Sequence, residues 1–241
     1  LVEVRVVLVG IEGAVNLGVI ARTCVNFKVS ELYLVKPVAS VEEALRYSAG
    51  GREFLSKSII VDSLDEALKG VDVVVATSAK GYSEGDPLRQ ALSIEEFVEK
   101  VLPRVNKIAL VFGRESTGLT REELARADFL VSIPANPEYP VLNISQSVAI
   151  FLWEIWKKTG ITPTNIPPRA SREDIEKTLE VLREVTSMVV TTKDKAERCN
   201  RVLKNIIYRS TPSLFEGKTL LYWSRRVLRK LKEKGGSPPG N

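Results

Sequence analysis

Residues 107–119, KIALVFGRESTGL, run from an apolar stretch into a bend framed by Gly113 and Gly118 that carries adjacent Arg114 and Glu115 and two hydroxyls. The apolar part predicts a strand buried on both faces, as in a parallel sheet. A charged bend directly after such a strand is where a rigid scaffold presents function. Five further runs share its character: EVRVVLV (3–9), ELYLV (31–35), SIIV (58–61), DVVVAT (72–77) and DFLVSI (128–133). Helix signals lie between them. Leu17, Ile20, Ala21, Cys24 and Phe27 recur at helical spacing, Ser93 with Glu96 and Thr120 with Glu123 form capping boxes, and 144–156 is long and apolar. Strands alternating with helices predict an α/β domain over residues 1–158, with about six strands in a mostly parallel sheet.

The texture changes at TGITPTNIPPR (159–169), where prolines at 163, 167 and 168 predict a semi-rigid linker over 159–170. Ser171 with Asp174 opens a new helix, and residues 171–234 show helical periodicity alone, broken at TPS (211–213). Their last segment, KTLLYWSRRVLRKLKEK, sets Leu220, Trp223 or Ser224, Val227 and Leu231 on one stripe and Arg225, Arg226, Arg229, Lys230 and Lys232 elsewhere, which predicts a basic amphipathic helix. The tail 235–241, GGSPPGN, is predicted to be disordered. Charge divides the same way. Residues 161–241 hold 17 Lys and Arg against 9 Asp and Glu, whereas residues 1–160 hold 18 against 21. That imbalance suits either a polyanionic partner or a solvated basic surface.

Two distant cysteines, Cys24 and Cys199, and no histidine leave too few soft ligands for a structural zinc and no disulfide framework. No metal is expected. Neither a membrane-spanning stretch nor a secretory signal is evident, so the cytoplasm is the expected location.

Ligands of open parallel sheets bind outside the carboxyl ends of the strands. Four polar clusters fall there: NLGVIAR (16–22), TSAK (77–80), the bend after residue 112, and IPANPEYPVLNISQS (133–147). Singly, each residue has a plain structural use. Asn16 suits a cap for a helix starting at Leu17, Asn143 a cap for one starting at Ile144, Arg22 a solvated surface, and Glu115 the positive end of a following helix with Arg114 as its partner. Their convergence on one sheet edge favours a site.

Together, Asn16-Leu-Gly-Val-Ile-Ala-Arg22, FGRESTGL and LNISQSVA resemble in order and spacing the three motifs of the SPOUT superfamily of RNA methyltransferases, in its ribose 2′-O branch. With its proline-rich loop and helical extension the chain looks most like the TrmJ group, which methylates tRNA at anticodon-loop nucleotide 32. The resemblance implies a carboxyl-terminal trefoil knot, a homodimer, and S-adenosylmethionine bound by Thr77, Ser78, Ala79, Gly113, Ile133, Leu142 and Asn143, largely through backbone groups. It also implies that Asn16, Arg22, Arg114, Glu115 and Asn143 serve catalysis. Arg22 would grip the substrate phosphate and stabilise the developing alkoxide, Glu115 would orient arginines or a substrate hydroxyl, and Arg114 would supply a phosphate contact. Glycine at 113 would let the main chain approach the ligand. Many relatives have a serine where Val141 stands, so a role for that hydroxyl does not transfer, although Ser145 lies nearby in sequence. The segment 81–90, GYSEGDPLRQ, is read as a mobile loop with Arg89 facing substrate, and Arg225, Arg226 and Arg229 as contacts to tRNA.

Two rival readings carry their own signatures. A Rossmann-type enzyme wants a glycine-rich turn after the first strand and an acid at the end of the second, but Gly10, Gly13 and Gly18 lack that spacing and the second strand ends LVKP. A non-catalytic RNA-binding module on the same scaffold would not need Asn16, Arg22, Glu115 and Asn143 together. Another tRNA or rRNA site is the alternative target.

Overall fold

The computed structural model describes residues 2–158, 161 and 165–235, and the chain divides into two compact units, residues 1–161 and 162–241. The first unit holds seven strands: β1 (Glu3–Val9), β2 (Glu31–Val35), β3 (Ile59–Val61), β4 (Val73–Thr77), β5 (Leu92–Ser93), β6 (Lys107–Phe112) and β7 (Phe129–Ser132). Its helices are α1 (Ala14–Asn26), α2 (Val41–Ala44), α3 (Arg52–Ser56), α4 (Leu64–Ala67), α5 (Ile94–Lys100), α6 (Arg121–Leu124) and α7 (Ile144–Lys157). The second unit holds α8 (Arg172–Val189), α9 (Lys193–Ser210) and α10 (Leu214–Gly235).

The strands form one all-parallel sheet in the order β3-β2-β1-β6-β4-β7-β5. From β1 the chain builds outward through β2 and β3, then crosses to the other side for β4, and β6 fills the gap left between β1 and β4. That reversal is the switch point at which parallel sheets open a crevice. The bend of residues 113–119 therefore lies at the crevice because β6 occupies the central position. Burial agrees: every residue of β6 from Ile108 to Phe112 is buried, as are Val4 to Val9 of β1.

Two elements differ from the sequence reading. SIIV was expected to be buried, but β3 is an edge strand with Ile59 and Ile60 41% and 59% exposed. The seventh strand, β5, is only two residues long and pairs with β7 ahead of the Ser93 cap, too short for any periodic signal. The capping boxes at Ser93 and Thr120 are both present. Leu17, Ile20, Ala21 and Cys24 form the buried face of α1. Burial pushes the Cys24 thiol well above its ordinary range, leaving it protonated and inert.

Arg5 is the main charged group inside this unit. Its guanidinium is almost wholly buried, stacks 4.3 Å above the Tyr33 ring, and donates to Glu31 Oε2 (2.6 Å) and to the Ala67 and Lys69 carbonyls (2.6 and 2.8 Å) that end α4. Removing the guanidinium leaves the Ala67 and Lys69 carbonyls without this donor, while Glu31 keeps Lys107 at 3.1 Å. Arg5→Met is expected to lower unfolding free energy by about 3 kcal/mol in urea titration; a loss near zero would show that neither the hydrogen bonds nor the stacking of this guanidinium anchors the edge.

In the second unit, the capping box of Ser171 with Asp174 starts α8, and Ile175, Leu179, Leu182 and Ile207 form the core with Leu203 and Leu220 packed against it. The break at 211–213 separates α9 from α10, and a further break at Val190 separates α8 from α9. Residues 168–170, read as linker, instead join this unit: Leu214 N donates to Pro168 O, and Ala170 N to Pro212 O. Between the two candidates for the stripe of α10, the structure buries Ser224 completely and leaves Trp223 55% exposed. Part of the linker reading (159–160 and 162–164) and nearly all of the tail (236–241) lie outside the described residues.

Candidate active site

A cleft of about 630 Å³ opens beyond the carboxyl ends of β4, β6 and β7. It is lined by Thr77, Ser78 and Ala79 after β4, by Gly113 to Leu119 after β6, and by Ile133 and Tyr139 to Ile144 after β7. Phe112 and Phe151 meet edge to face at 5.6 Å and form its buried apolar floor. The seven residues expected to contact the donor all line it.

The bend after β6 is closed on itself. Arg114 N donates to Gly118 O (3.2 Å) and Gly118 N to Arg114 O (2.9 Å), and Gly118 takes φ +71°, where a side chain would strain the backbone. A Cβ at Gly113 would lie 2.2 Å from the Gly118 carbonyl carbon and 2.4 Å from Leu119 N. The turn's own return is therefore enough to require glycine at 113.

Glu115 is the hub of the site. Its Oε2 accepts from Glu12 N (2.8 Å), and its Oε1 accepts from Gly13 N (3.0 Å) and Asn16 Nδ2 (3.0 Å). Asn16 Oδ1 in turn accepts from Asn143 Nδ2 (3.1 Å), and Asn143 Oδ1 accepts from Ser145 N (2.8 Å) and Ser145 Oγ (2.7 Å). One continuous hydrogen-bonded chain therefore ties the ends of β1, β6 and β7. Asn143 both caps α7 and belongs to this chain. Asn16 is no cap: α1 begins at Ala14 with Gly13 before it, which places Asn16 inside the first turn with its amide fixed in orientation. Partial burial alone would raise the Glu115 carboxyl, but the donors from Glu12, Asn16 and Gly13 hold it below the ordinary carboxylate range.

A carboxyl lowered on folding stabilises the native state above its unfolded pKa, and that contribution disappears as pH falls through the lowered value. Glu115→Gln should cost about 1–2 kcal/mol at neutral pH, and the deficit should close at strongly acid pH, where Glu115 is protonated too. Urea midpoints of both chains across pH check this; an unchanging deficit would mean shape rather than charge.

Three expected residues are placed differently. Arg114 Nη1 and Nη2 each lie 3.1 Å from the Glu123 carboxylate, so the guanidinium clamps the bend to the start of α6 instead of standing free for phosphate. Arg89 lines the cleft but folds back, its Nη1 donating to Lys80 O (2.6 Å) and Ser78 Oγ (3.3 Å). Its segment, read as mobile, is a hydrogen-bonded hairpin with Tyr82 bridged to Gln90 and Asp86 clamped by Arg121 (2.7 Å). Arg22 is exposed on α1, does not line the cleft, and its guanidinium makes no hydrogen bond or ion pair among the described residues.

Sequence reasoning missed Glu12, which accepts from Ser116 N (3.0 Å) and Oγ (2.7 Å) in a return staple, and Tyr139, 75% exposed at the cleft mouth. Tyr139 had a signal, an aromatic isolated between prolines. Glu12 had none. Among the described residues no group of three or more His, Cys, Asp or Glu is placed to hold a metal, and no helix is long and apolar enough to cross a membrane.

A cleft outside the carboxyl ends of an all-parallel sheet, walled by three strand ends, defines an α/β ligand-binding domain. Residues 3–153 match the SpoU rRNA Methylase family model, and the chain belongs to that family. It is 40% identical over 229 residues to the tRNA (cytidine-2'-O-)-methyltransferase TrmJ of Sulfolobus acidocaldarius, covering 95% of this chain and 93% of the relative. It is 33% identical over 225 residues to the enzyme of that name from Methanocaldococcus jannaschii, covering 92% and 98%. The fold is shared with the crystal structure of TrmJ from Z. mobilis ZM4, with a TM-score of 0.64 at 22% identity over 96% of this chain and 99% of that one.

Proposed function

We propose that the chain is a cytoplasmic, homodimeric enzyme that methylates the 2′-hydroxyl of a tRNA ribose, at anticodon-loop nucleotide 32, using S-adenosylmethionine. The observation that carries this reading is the continuous chain Glu115–Asn16–Asn143–Ser145 across the mouth of a cleft in a SpoU-family domain. The cleft suits the donor. Its volume is that of small-molecule sites, its floor is apolar, and its walls offer main-chain donors and acceptors for a nucleoside. Thr77, Ser78, Ala79, Gly113, Ile133, Leu142 and Asn143 would hold it, in the threaded carboxyl-terminal segment that the family resemblance implies. When bound, the donor supplies a sulfonium methyl group for in-line transfer to oxygen.

The protein's own part is positional and electrostatic. Glu115 fixes the Asn16 amide, which with Asn143 orients the ribose, and the neutral Asn pair adds no charge that would repel a polyanion. A guanidinium stays protonated, so Arg22 stabilises the developing alkoxide and its flanking phosphate while the proton leaves to a phosphate oxygen or water. Arg22 shares an exposed stripe of α1 with Val15 (52% exposed) and Val19 (37%), and Trp153 of neighbouring α7 is 50% exposed. An unpaired cation on an apolar face outside its own cleft fits a dimer in which Arg22 serves the partner's site. The basic helical unit, with Arg225, Arg226 and Arg229 exposed on α10, supplies phosphate contacts.

Labelled methyl transfer from S-adenosylmethionine to unmodified tRNA and to rRNA fragments tests the reading. Uptake by tRNA that survives alkaline hydrolysis as a 2′-O-methylated dinucleotide from the anticodon loop is expected. Uptake on a base, or by rRNA alone, would contradict it.

A further inference from the structure

On α10 two aromatic residues, Phe215 and Tyr222, face away from the helical core among polar and charged neighbours. Ser224 is fully buried, and Tyr222 and Arg226 stand two residues to either side, about 200° around the helix and hence on its far side. Phe215 lies two turns before Tyr222 on that face and is 78% exposed; Tyr222 is 64% exposed, and Trp223 flanks it. Aromatic residues at the edge of a core are ordinary. Aromatic residues opposite it are not explained by their own unit.

The cations around them are arranged to match. Lys218, Arg225, Arg226 and Arg229 are exposed along the same helix, and the Arg226 guanidinium lies 5.9 Å from the Tyr222 ring centroid. The two acids on α10 are already engaged, Glu216 by the Ser213 amide (2.7 Å) and Glu233 by Arg229 and Lys230 (3.6 Å each). Flat apolar faces interleaved with guanidinium groups, of which Arg225 and Arg226 face no carboxylate among the described residues, are what an unpaired nucleotide requires: a surface on which the base stacks, beside cations for its phosphate. A duplex hides its bases and offers only the phosphates.

We propose that Phe215, Tyr222 and Trp223 form a stacking platform for unpaired bases of the substrate RNA, so that this helix recognises single-stranded loop nucleotides and not merely negative charge. This rests on the reading of the chain as an RNA-modifying enzyme, and deepens it by assigning the helical unit a share in selecting the substrate. A second copy of the chain is the competing occupant, disfavoured because two such faces would bring Arg225, Arg226 and Arg229 against their own counterparts.

The test uses the full chain and two probes, an unstructured end-labelled oligoribonucleotide and the duplex formed with its complement, followed by fluorescence anisotropy over a range of salt. Replacing Phe215 and Tyr222 together with serine should weaken single-strand binding about tenfold or more, with duplex binding and the slope of affinity against salt unchanged, since no phosphate contact is lost. Arg225→Gln with Arg226→Gln should instead weaken both probes and flatten the slope. Equal losses on both probes for the serine variant, or no loss on either, overturn the platform. Unchanged RNA binding with a lighter particle in sedimentation assigns the face to a second copy. If the wild type binds neither probe, the platform falls. Normal binding with no methyl transfer to tRNA removes the enzymatic reading and leaves the platform standing.

Discussion

A chain carrying Gly113→Ala is expected to lose methyl transfer by about a hundredfold or more, the scale set by displacing reacting groups by roughly 1 Å. The added Cβ would meet main-chain atoms alone, at 2.2 Å, 2.4 Å and 2.5 Å from the carbon of Gly118, the nitrogen of Leu119 and the oxygen of Gly118. Backbone cannot rotate aside as a side chain can, so the turn must open. Opening it moves Glu115, two residues on, and with it the three donors from Glu12, Gly13 and Asn16 that Glu115 gathers. The loss should fall on donor affinity and turnover together, with an overpacking cost of about 1–3 kcal/mol in stability. Donor binding and tRNA affinity measured on the folded variant separate these effects. Wild-type kinetics would show that the turn does not position the site.

Arg22→Lys is expected to behave differently: turnover falls about a hundredfold or more, the usual loss on removing one donor to a developing oxyanion, while donor affinity is unchanged because Arg22 does not line the cleft. Lysine keeps the charge, so a small effect would leave only a role for general electrostatics. Whether Arg22 serves its own cleft or the partner's is decided by coexpressing an Arg22→Ala chain with an Asn143→Ala chain. Mixed dimers regain turnover only if the arginine of one subunit completes the cleft of the other. No recovery would return Arg22 to its own chain.

The central strands were legible because β1 and β6 are buried on both faces and so read as unbroken apolar runs, and α1 because Leu17, Ile20, Ala21 and Cys24 keep one face. SIIV has the same composition but lies at the sheet edge, and strand order is a long-range property that no local run encodes. At the site, residue identities were legible but their partners were not. Arg114 beside Glu115 suggested a pair, yet each carboxylate partner is set by the turn: Arg114 reaches Glu123, and Glu115 reaches back across the sheet to the start of α1. The cap that Asn16 would suit if taken alone is not formed, because the helix starts earlier, at Ala14, after Gly13. On α10, helical periodicity alone does not choose between adjacent Trp223 and Ser224; core packing chose the smaller and sent the aromatic outward.

Equilibrium dialysis of labelled S-adenosylmethionine against the full-length, folded chain tests most directly whether the three strand ends form a donor site. Saturation at one molecule per chain, competed by S-adenosylhomocysteine and lost in the Gly113→Ala variant, is the expected result. Equal label on both sides of the membrane, at protein concentrations where the chain is folded and binds tRNA, would contradict it.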